Sequence, residues 1–279
     1  MAVQFPIAFE KMSGTGNDFI IIDNRDNIVP HDEQSAFAAK VCRRMFSVGA
    51  DGLILIENSA TADFRWQFYN ADGSVAEMCG NGSRCAARFA YRQGIAGKTM
   101  RFETIAGVIE AEIIGEEEIV RVLLTAPRDY RFNLAIELDG EQHELSFVNT
   151  GVPHAVIFVD TDNVPVKKWG RKIRYDEQFQ PAGTNANFVR LLGGNTILAR
   201  TYERGVEDET MACGTGAVAS ALMASIHKGL ASPIEVQTSG GERLTIYFDR
   251  KQGPEEQKVY LQGPARRIYT GTMTAESLL

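Results

Sequence analysis

The sequence predicts an α+β protein made of two pseudo-symmetric domains, each a mainly antiparallel curved sheet wrapped around a central helix. Three observations favour this fold class. The 279-residue chain repeats itself in two halves, most of its apolar runs have the length of short strands, and each half holds one helix rich in small residues. A chain of this length can bury one large core or two ordinary ones.

The duplication is clearest around two cysteines. Cys79-Gly-Asn-Gly matches Cys213-Gly-Thr-Gly, and alanines follow at corresponding places in both halves. Three more pairs of segments match in the same order: 13–23 with 150–160, 103–107 with 237–241, and 122–127 with 259–264. Matches in one order at a nearly constant offset indicate two homologous halves, and two domain-sized copies do not make a solenoid.

Short β-branched or alternating runs account for most of each half. Examples are "DFIIID" and "DGLILIE" in the first half and "HAVIFVD" and "RLTIYFD" in the second. Such runs predict strands. The segments "ELDGEQHEL" and "LLGGNTIL" carry the Asp-Gly and Gly-Asn pairs that are typical of hairpin turns. Hairpins join antiparallel strands, so the sheets are expected to be mainly antiparallel.

Helical patterns are fewer. The segments after Cys79 and Cys213 are rich in alanine and end at Gly94 and Gly229, which are typical residues just past a helix. Their small side chains would let a helix lie close inside a curved sheet. A further helical pattern lies within 31–49, with acidic residues early and arginines late.

The repeats also predict domain boundaries. Residues 1–128 are expected to form the first domain, which carries Cys79, and residues 129–265 the second, which carries Cys213. The last segment, 266–279, is expected to be a strand that returns to complete the first domain.

Composition excludes several classes of protein. The net charge of −7 and the absence of a basic stretch argue against a nucleic-acid or anionic-membrane partner. No apolar run is long enough to span a bilayer, and the first residues lack the pattern of a signal peptide. We therefore expect a cytoplasmic protein that binds neither membranes nor nucleic acid.

The four cysteines do not predict a disulfide framework or a metal site. No Cys-x-x-Cys pair is present and the histidines lack zinc-finger spacing, so no metal is expected. Cys42 and Cys85 are interpreted as buried packing residues. Neither glycine-rich stretch has the spacing of a dinucleotide or nucleotide phosphate loop, so no nucleotide cofactor is expected.

Cys79 and Cys213 have a different context, because each precedes Gly-x-Gly at the start of a helix. The first N–H groups of a helix lack intrahelical partners, and the helix dipole makes that end partly positive. Glycines let a ligand approach the backbone, so such a site suits a carboxylate or phosphate. The same field lowers the pKa of a thiol toward neutrality.

Two such sites suggest a two-base reaction. A carboxylate held between both helices would place its α-carbon between two sulfurs. One thiolate could then remove the α-proton, and the other thiol could return a proton on the opposite face, which inverts the centre. Helix N-termini directed at the developing enediolate would lower the barrier without pyridoxal phosphate or another cofactor.

Through these motifs the sequence resembles the diaminopimelate epimerase family over nearly its whole length. The resemblance depends on "KMSGTGNDF", "YNADGSVAEMCGNGSRC", "GVPH", "GTNANFV" and "YERGVEDETMACGTG". It implies a pyridoxal-phosphate-independent isomerase that converts LL- to meso-diaminopimelate in lysine and peptidoglycan precursor biosynthesis. It also implies a homodimer.

The resemblance implies a role for each motif residue. Cys79 and Cys213 would be the acid/base pair, and which of them acts on the LL isomer stays open. The reacting carboxylate would be held by the backbone N–H groups of Gly80, Asn81, Gly214 and Thr215. The remaining substrate groups would be bound by Asn17, Asn70, Asn185, Glu203 and Arg204, with Glu203 and the backbone near Arg204 on the reacting amino group. His154 would either support the site or be a buried, hydrogen-bonded histidine.

The sequence departs from the family at Val152 and Gly52, and its "ERG…ACGTG" loop is one residue longer than usual. Val152 stands where many members have asparagine before Pro-His, and Gly52 follows Asp51 where glutamine is frequent. The asparagine normally contacts the distal end of the substrate, and Asn149 is a candidate replacement. These departures keep open a second two-thiol epimerase, of the proline or hydroxyproline type. A redox-regulated dithiol protein and a non-catalytic carboxylate-binding module are further alternatives.

Overall fold

The computed structural model describes residues 3–76, 78–115, 118–249 and 258–279. The chain divides into two compact units, one formed by Met1–Val122 with Gly263–Leu279 and the other by Leu123–Gln262. The C-terminal segment thus groups with the first half of the chain. The boundary between residues 128 and 129 stays a prediction.

Seventeen strands and four α-helices are found in the described residues. The helices are α1 Gln34–Val41, α2 Gly80–Arg92, α3 Val166–Tyr175 and α4 Gly214–Lys228. The strands are β1 Ile7–Gly14, β2 Asn17–Asp23, β3 Gly52–Glu57, β4 Phe64–Asn70, β5 Thr99–Thr104, β6 Gly107–Ile114, β7 Ile119–Leu124, β8 Arg128–Leu138, β9 Glu141–Asn149, β10 Pro153–Phe158, β11 Asn185–Gly193, β12 Thr196–Glu203, β13 Asp208–Thr210, β14 Ile234–Thr238, β15 Arg243–Phe248, β16 Val259–Pro264 and β17 Arg266–Met273.

The two units repeat one strand order. In the first unit the neighbours run β17-β1-β2-β3-β4-β5-β6-β7, antiparallel except for β2–β3 and β4–β5. In the second they run β8-β9-β10-β11-β12-β14-β15-β16, antiparallel except for β10–β11 and β12–β14. The short β13 adds to β12. The predicted α+β class with mainly antiparallel sheets and two related halves is confirmed.

Each parallel pair is joined through a helix. The chain passes through α1 between β2 and β3, and through α2 between β4 and β5; α3 and α4 have the same places in the second unit. Parallel neighbours require a crossover connection, whereas antiparallel neighbours can be joined by a tight turn. The repeated pattern therefore puts the start of α2 and the start of α4 at equivalent points of the two units.

The cysteine-bearing helices are almost completely buried. All residues from Gly80 to Ala90 of α2 are buried, and this helix packs on β1, β2, β3 and β6. In α4 nearly every residue from Gly214 to Ser225 is buried, against strands β9, β10, β11, β12, β14 and β15. Packing on strands from across each sheet shows a sheet wrapped around a central helix.

Small residues allow this close packing. A Cβ atom added at Gly14 of β1 would lie 2.7 Å from the Asn81 carbonyl oxygen of α2, so strand and helix backbones nearly touch there. Gly94 and Gly229, the predicted residues past each helix, have φ angles of 67° and 71°. This left-handed conformation is the one that favours glycine at a helix end.

The outer helices show two differences from the sequence pattern. The helical pattern over 31–49 yields a 3-10 turn at His31–Glu33 followed by α1, and the chain then reverses so that the Gly49 N–H donates to the Val41 carbonyl. Helix α3 was not predicted from the sequence; it buries Val166, Gly170 and Ile173, which lie on one face of the helix. Among the described residues, no helix combines the length and the apolar character needed to cross a membrane.

Candidate active site

Cys79 caps the N-terminus of α2. Its backbone is extended, with φ −147° and ψ 116°, and its half-buried Sγ accepts a hydrogen bond from the Gly82 N–H at 3.4 Å. A sulfur at this position faces the partly positive end of the helix. The local geometry thus favours a thiolate on Cys79 and an anion beside Gly80.

Two of the predicted binding residues lie together at this helix start. Asn81 Nδ2 donates to Asn17 Oδ1 at 2.7 Å, and Asn17 Nδ2 donates to Asp51 Oδ2 at 3.1 Å. Asn81 is buried, whereas Asn17 is half-buried. The first-half motifs "GTGNDF" and "CGNG" therefore meet in one cluster, and Asp51 belongs to it although its sequence context did not predict a role.

Charged groups surround the far end of this cluster. Lys11 contacts Asp18 at 2.8 Å, and Arg44 bridges Asp18 at 2.6 Å and Asp51 at 2.8 Å. Burial alone would raise the pKa of Asp18, but the hydrogen bonds from Arg44 and Lys11 outweigh it and lower that pKa to about 2. Asp18 is therefore a fixed negative charge at neutral pH.

Asn70 is placed in a turn at the end of β4. Its Nδ2 donates to Ser74 Oγ at 3.0 Å, and its backbone N–H donates to the Ser74 carbonyl at 2.8 Å. The side chain is exposed. This is the ordinary turn chemistry that "YNADG" also predicts, so a substrate-binding role for Asn70 stays a prediction. Glu77, in the same motif, lies outside the described residues.

Cys213 caps α4 in the second unit as Cys79 caps α2 in the first. Its backbone is also extended, with φ −124° and ψ 112°, and it is half-buried. Its Sγ lies 3.5 Å from the Thr215 hydroxyl. The Thr215 carbonyl in turn accepts a hydrogen bond of 3.0 Å from the Thr150 hydroxyl, which ties the helix start to the segment before β10.

A buried histidine supports the Thr215 hydroxyl. His154 Nε2 lies 2.9 Å from Thr215 Oγ1, and its Nδ1 lies 3.0 Å from Asn187 Nδ2. Asn187 Oδ1 accepts from the Thr201 hydroxyl, which leaves Nδ2 as the donor to the imidazole. Nδ1 is therefore the acceptor of the ring, and Nε2 carries the proton that it donates to Thr215.

This arrangement keeps His154 neutral and makes the proton of the Thr215 hydroxyl available to Cys213. Complete burial and the nearby positive charge of Arg204 lower the pKa of His154 to about 3. Since Thr215 accepts from the imidazole, its own O–H can point to the sulfur of Cys213. His154 is thus buried and hydrogen-bonded, and its contact with Thr215 leaves its role in supporting the site a prediction.

Three more predicted residues lie at the ends of β11 and β12. Asn185 Oδ1 accepts the backbone N–H of Arg204 at 2.7 Å, and the Arg204 guanidinium donates to the Ala182 carbonyl at 2.8 Å. Burial raises the pKa of Glu203. Within the described residues Arg204 forms no ion pair with Glu203 or another carboxylate, so the two are not the solvated pair that adjacent charges often form.

The departures from the family pattern at Gly52 and Val152 have different structural settings. A Cβ atom at Gly52 would lie 2.6 Å from Phe68 Cε2 and 2.7 Å from the Tyr69 carbonyl, so this point of β3 has no room for a side chain. Near Val152, Asn149 Oδ1 accepts the Gly151 N–H at 3.1 Å within a turn. Asn149 as a substrate contact stays a prediction.

Four residues around the helix starts at Cys79 and Cys213 were not predicted from the sequence: Arg84, Asp51, Asn187 and Thr201. Each belongs to a hydrogen-bonded cluster whose members are distant in sequence, which a single sequence does not reveal. Among the described side chains, no three His, Cys, Asp or Glu residues cluster in a way that could hold a metal ion.

Comparison with known proteins identifies the family. The model of the family described as diaminopimelate epimerase matches residues 9–128 and 146–268. The diaminopimelate epimerase of Aquifex aeolicus (strain VF5) is 48% identical over 281 residues, which cover 97% of this chain and 99% of that protein. The chain belongs to the diaminopimelate epimerase family. The diaminopimelate epimerase of Hydrogenobaculum sp. (strain Y04AAS1) is 49% identical over 278 residues, covering 95% and 98% of the two chains.

Solved structures with the same fold come from other branches. A phenazine biosynthesis protein of the PhzF family from Bacillus anthracis has a TM-score of 0.76 at 16% identity and covers 97% of this chain and 100% of its own. A hydroxyproline epimerase from Agrobacterium vitis, with bound trans-4-hydroxy-L-proline, has a TM-score of 0.68 at 13% identity and covers 99% and 94%. At such identities the likeness shows the fold alone. As a member of the diaminopimelate epimerase family, the chain is an isomerase.

Proposed function

We propose that this protein interconverts LL- and meso-diaminopimelate without a cofactor, through one thiolate and one thiol. The observation that carries the proposal is the repeated placement of Cys79 and Cys213, each capping the buried helix of its unit at an equivalent point of the strand order. A single base tends to return a proton to the face from which it took it. Inversion at the α-carbon therefore needs two acid/base groups, and the duplicated fold supplies two.

The proposed reaction begins with the substrate carboxylate at the helix N-termini. Backbone N–H groups of Gly80 and Asn81 in one unit, and of Gly214 and Thr215 in the other, would hold it. When one cysteine removes the α-proton, negative charge develops on the same carboxylate as an enediolate. Fixed N–H donors and helix dipoles stabilise that charge without reorganising, which is how preorganised sites lower such barriers.

The two sulfurs have different local support. Cys79 accepts an N–H from Gly82, whereas Cys213 faces the hydroxyl of Thr215, which His154 holds in place. An O–H directed at the sulfur stabilises the thiolate when Cys213 has lost its proton and still permits the thiol form. Either cysteine can thus act as base, as a reversible epimerisation requires.

The remaining residues would bind the other charged groups of the substrate. The Arg204 guanidinium donates one hydrogen bond to a backbone carbonyl, and its other N–H groups would bind the distal carboxylate. Asn185 is fixed against the Arg204 backbone, and Asn17 and Asn70 would also bind the substrate. The Glu203 carboxylate would accept hydrogen bonds from the reacting ammonium group. The positive charge of that group would lower the pKa of Glu203, which burial raises in the free protein.

The wider setting follows from the same proposal. The product would serve lysine and peptidoglycan precursor synthesis, and we propose a cytoplasmic homodimer as its working form. The support is the family membership together with identities near one half over almost the whole chain.

A deuterium experiment tests the proposed activity. The reduced protein, without pyridoxal phosphate, is incubated with LL-diaminopimelate in D2O, and meso product with deuterium at one α-carbon is expected. Cys79→Ala and Cys213→Ala should each abolish inversion. Cys85→Ala is the matched control, since Cys85 is a fully buried cysteine in the helix that Cys79 caps, and it should retain activity.

The outcomes separate the alternatives. Deuterium-free product, or full activity in either cysteine variant, would contradict the two-thiol mechanism. Inversion of proline or hydroxyproline with no action on diaminopimelate would favour the other two-thiol epimerase. Reversible gain and loss of a Cys79–Cys213 disulfide with no turnover of any amino acid would favour a redox role.

A further inference from the structure

A buried arginine organises the start of α2. Arg84 is completely buried, one turn after Gly80. Its guanidinium donates to the Pro264 carbonyl at 3.3 Å, to the Gly80 carbonyl at 3.2 Å, to Asn81 Oδ1 at 2.8 Å and to the Thr15 hydroxyl. A guanidinium has five N–H donors in a fixed plane and no acceptor, so every group that accepts from it must present an oxygen.

This requirement sets the direction of a hydrogen-bond chain. Because Asn81 turns Oδ1 to Arg84, its Nδ2 faces Asn17 and donates to Oδ1 there at 2.7 Å. Asn17 must then turn its own Nδ2 outward, and this donates to Asp51 Oδ2 at 3.1 Å. The Asp51 carboxylate is the last acceptor. Every hydrogen bond of the chain is therefore donated in the direction from Arg84 to Asp51.

The two ends therefore forbid rotation of the amides between them. A flipped Asn81 would set N–H against the N–H of Arg84, and a flipped Asn17 would set oxygen against the Asp51 carboxylate. Either error costs a hydrogen bond in a buried or half-buried place and adds repulsion. Each amide uses one N–H in the chain. The orientation of the second N–H of Asn17 and of Asn81 is then fixed together with the amide.

We propose that Arg84 and Asp51 are positioning residues of the epimerase, which fix the side-chain amides of Asn81 and Asn17 as N–H donors to an anionic group of the substrate. This inference rests on the proposed function. Arg84 also ties the carbonyl of Gly80, so the first turn of α2 next to Cys79 keeps its geometry. Two amides that present only N–H groups can bind a carboxylate at this place. They cannot bind an ammonium group, which needs an acceptor.

The chain offers a matched control for Arg84. Arg88 lies one turn further along α2, is 7% exposed, and donates to the carbonyl of Ala265, the residue after Pro264. Both arginines thus join α2 to the same stretch of backbone, but Arg84 alone of the two lies within one helical turn of Asn81. Arg84→Met and Arg88→Met each remove a buried charge and a hydrogen bond to the backbone of 264–265, and Arg84→Met also releases Gly80, Thr15 and the Asn81 amide.

The test compares stability with catalysis for these variants. Thermal unfolding should show a loss of stability in both variants, the larger one in Arg84→Met, which frees more hydrogen-bond partners. The value of kcat/KM for diaminopimelate should fall about 10²-fold further in Arg84→Met, the usual effect of a misplaced reacting geometry. Arg84→Lys keeps the positive charge but loses the planar set of N–H donors. Relative to Arg84→Met, it should recover more of the thermal stability than of kcat/KM.

A double-variant cycle asks whether Arg84 acts through Asn81. If it does, Arg84→Met combined with Asn81→Ala should lose no more kcat/KM than Asn81→Ala alone. Asp51→Asn keeps the shape of the other end but permits either amide orientation. It should lower kcat/KM in the presence of Asn17 and have little further effect in Asn17→Ala.

The results distinguish this inference from the proposed function. If the natural protein does not epimerise diaminopimelate, the proposed function fails and the inference fails with it. If the natural protein is active and Arg84→Met and Arg88→Met lose kcat/KM equally, or the double variants lose activity additively, only the inference is overturned. Should Arg84→Met not fold, Arg84→Lys replaces it in the cycle with Asn81→Ala, and this cycle and that of Asp51→Asn with Asn17→Ala decide the question.

Discussion

Acidification should destabilise this protein through His154. The imidazole is completely buried, neutral, and held between Asn187 and Thr215. Its pKa falls from 6.5 to about 3 in the folded chain because burial disfavours the charged ring and Arg204 adds repulsion. Below pH 6.5 the unfolded chain therefore binds a proton that the folded chain refuses, so the free energy of unfolding decreases as the pH falls.

The magnitude follows from the width of this window. Stability from His154 is fully present above pH 6.5 and is lost progressively until the pH reaches about 3. Each pH unit within the window costs about 1.4 kcal/mol, so a change from pH 7.5 to pH 5 should remove about 2 kcal/mol. The Asp18 carboxylate adds little there, since its pKa of about 2 moves its own window below pH 4.

Urea unfolding of the natural protein and of His154→Gln at the two pH values measures this effect. Glutamine has an amide in place of the imidazole and does not titrate. The variant should lose about 2 kcal/mol less on acidification than the natural protein, and groups such as Glu203 cancel in the difference. Equal losses in both proteins would refute the reasoning that a buried neutral imidazole resists protonation here.

Two further predictions concern cysteines and glycines. Burial raises the pKa of Cys42 and of Cys85 to about 12, so at pH 8 about one thiol in 10⁴ is ionised; iodoacetamide labelling with peptide mapping should modify the other two cysteines far sooner, and equal rates would contradict this. Gly216→Ala would place a methyl group 2.5 Å from Asn187 Oδ1, whereas in Gly82→Ala the nearest atom is a flexible side-chain tip at 3.3 Å. The first should cost about 1–3 kcal/mol in urea unfolding and the second clearly less, and the reverse order would be inconsistent with the packing.

The fold could be predicted from the sequence because its signals are local or repeated. The duplicated Cys-Gly-x-Gly segments indicated two halves, and alanine-rich stretches ending at Gly94 and Gly229 indicated buried helices. Helix α3 could not be predicted in this way. It buries few residues, and its close approach to the sheet depends on Gly170, where a Cβ would lie 2.3 Å from Tyr202 Cβ, a residue far along the chain.

Only part of the candidate site could be predicted from the sequence. Glycines and cysteines at helix starts carry their chemistry in the local backbone, so Cys79 and Cys213 could be located from the motif. The groups that orient them could not, since His154 reaches Thr215 across 61 positions and Arg84 reaches Thr15 across 69. Such contacts exist only after the sheets have formed.

The two halves keep one strand order but support their helix starts by different chemistry. At α2 a buried guanidinium, Arg84, fixes the neighbouring amides from a permanently charged end. At α4 a neutral imidazole, His154, fixes a hydroxyl from an end that burial keeps uncharged. A permanent cation favours an anion beside Cys79 at every accessible pH, whereas the support of Cys213 carries no charge. Duplication thus preserved the backbone that presents each sulfur, while the buried groups that support the two helix starts came to differ in charge.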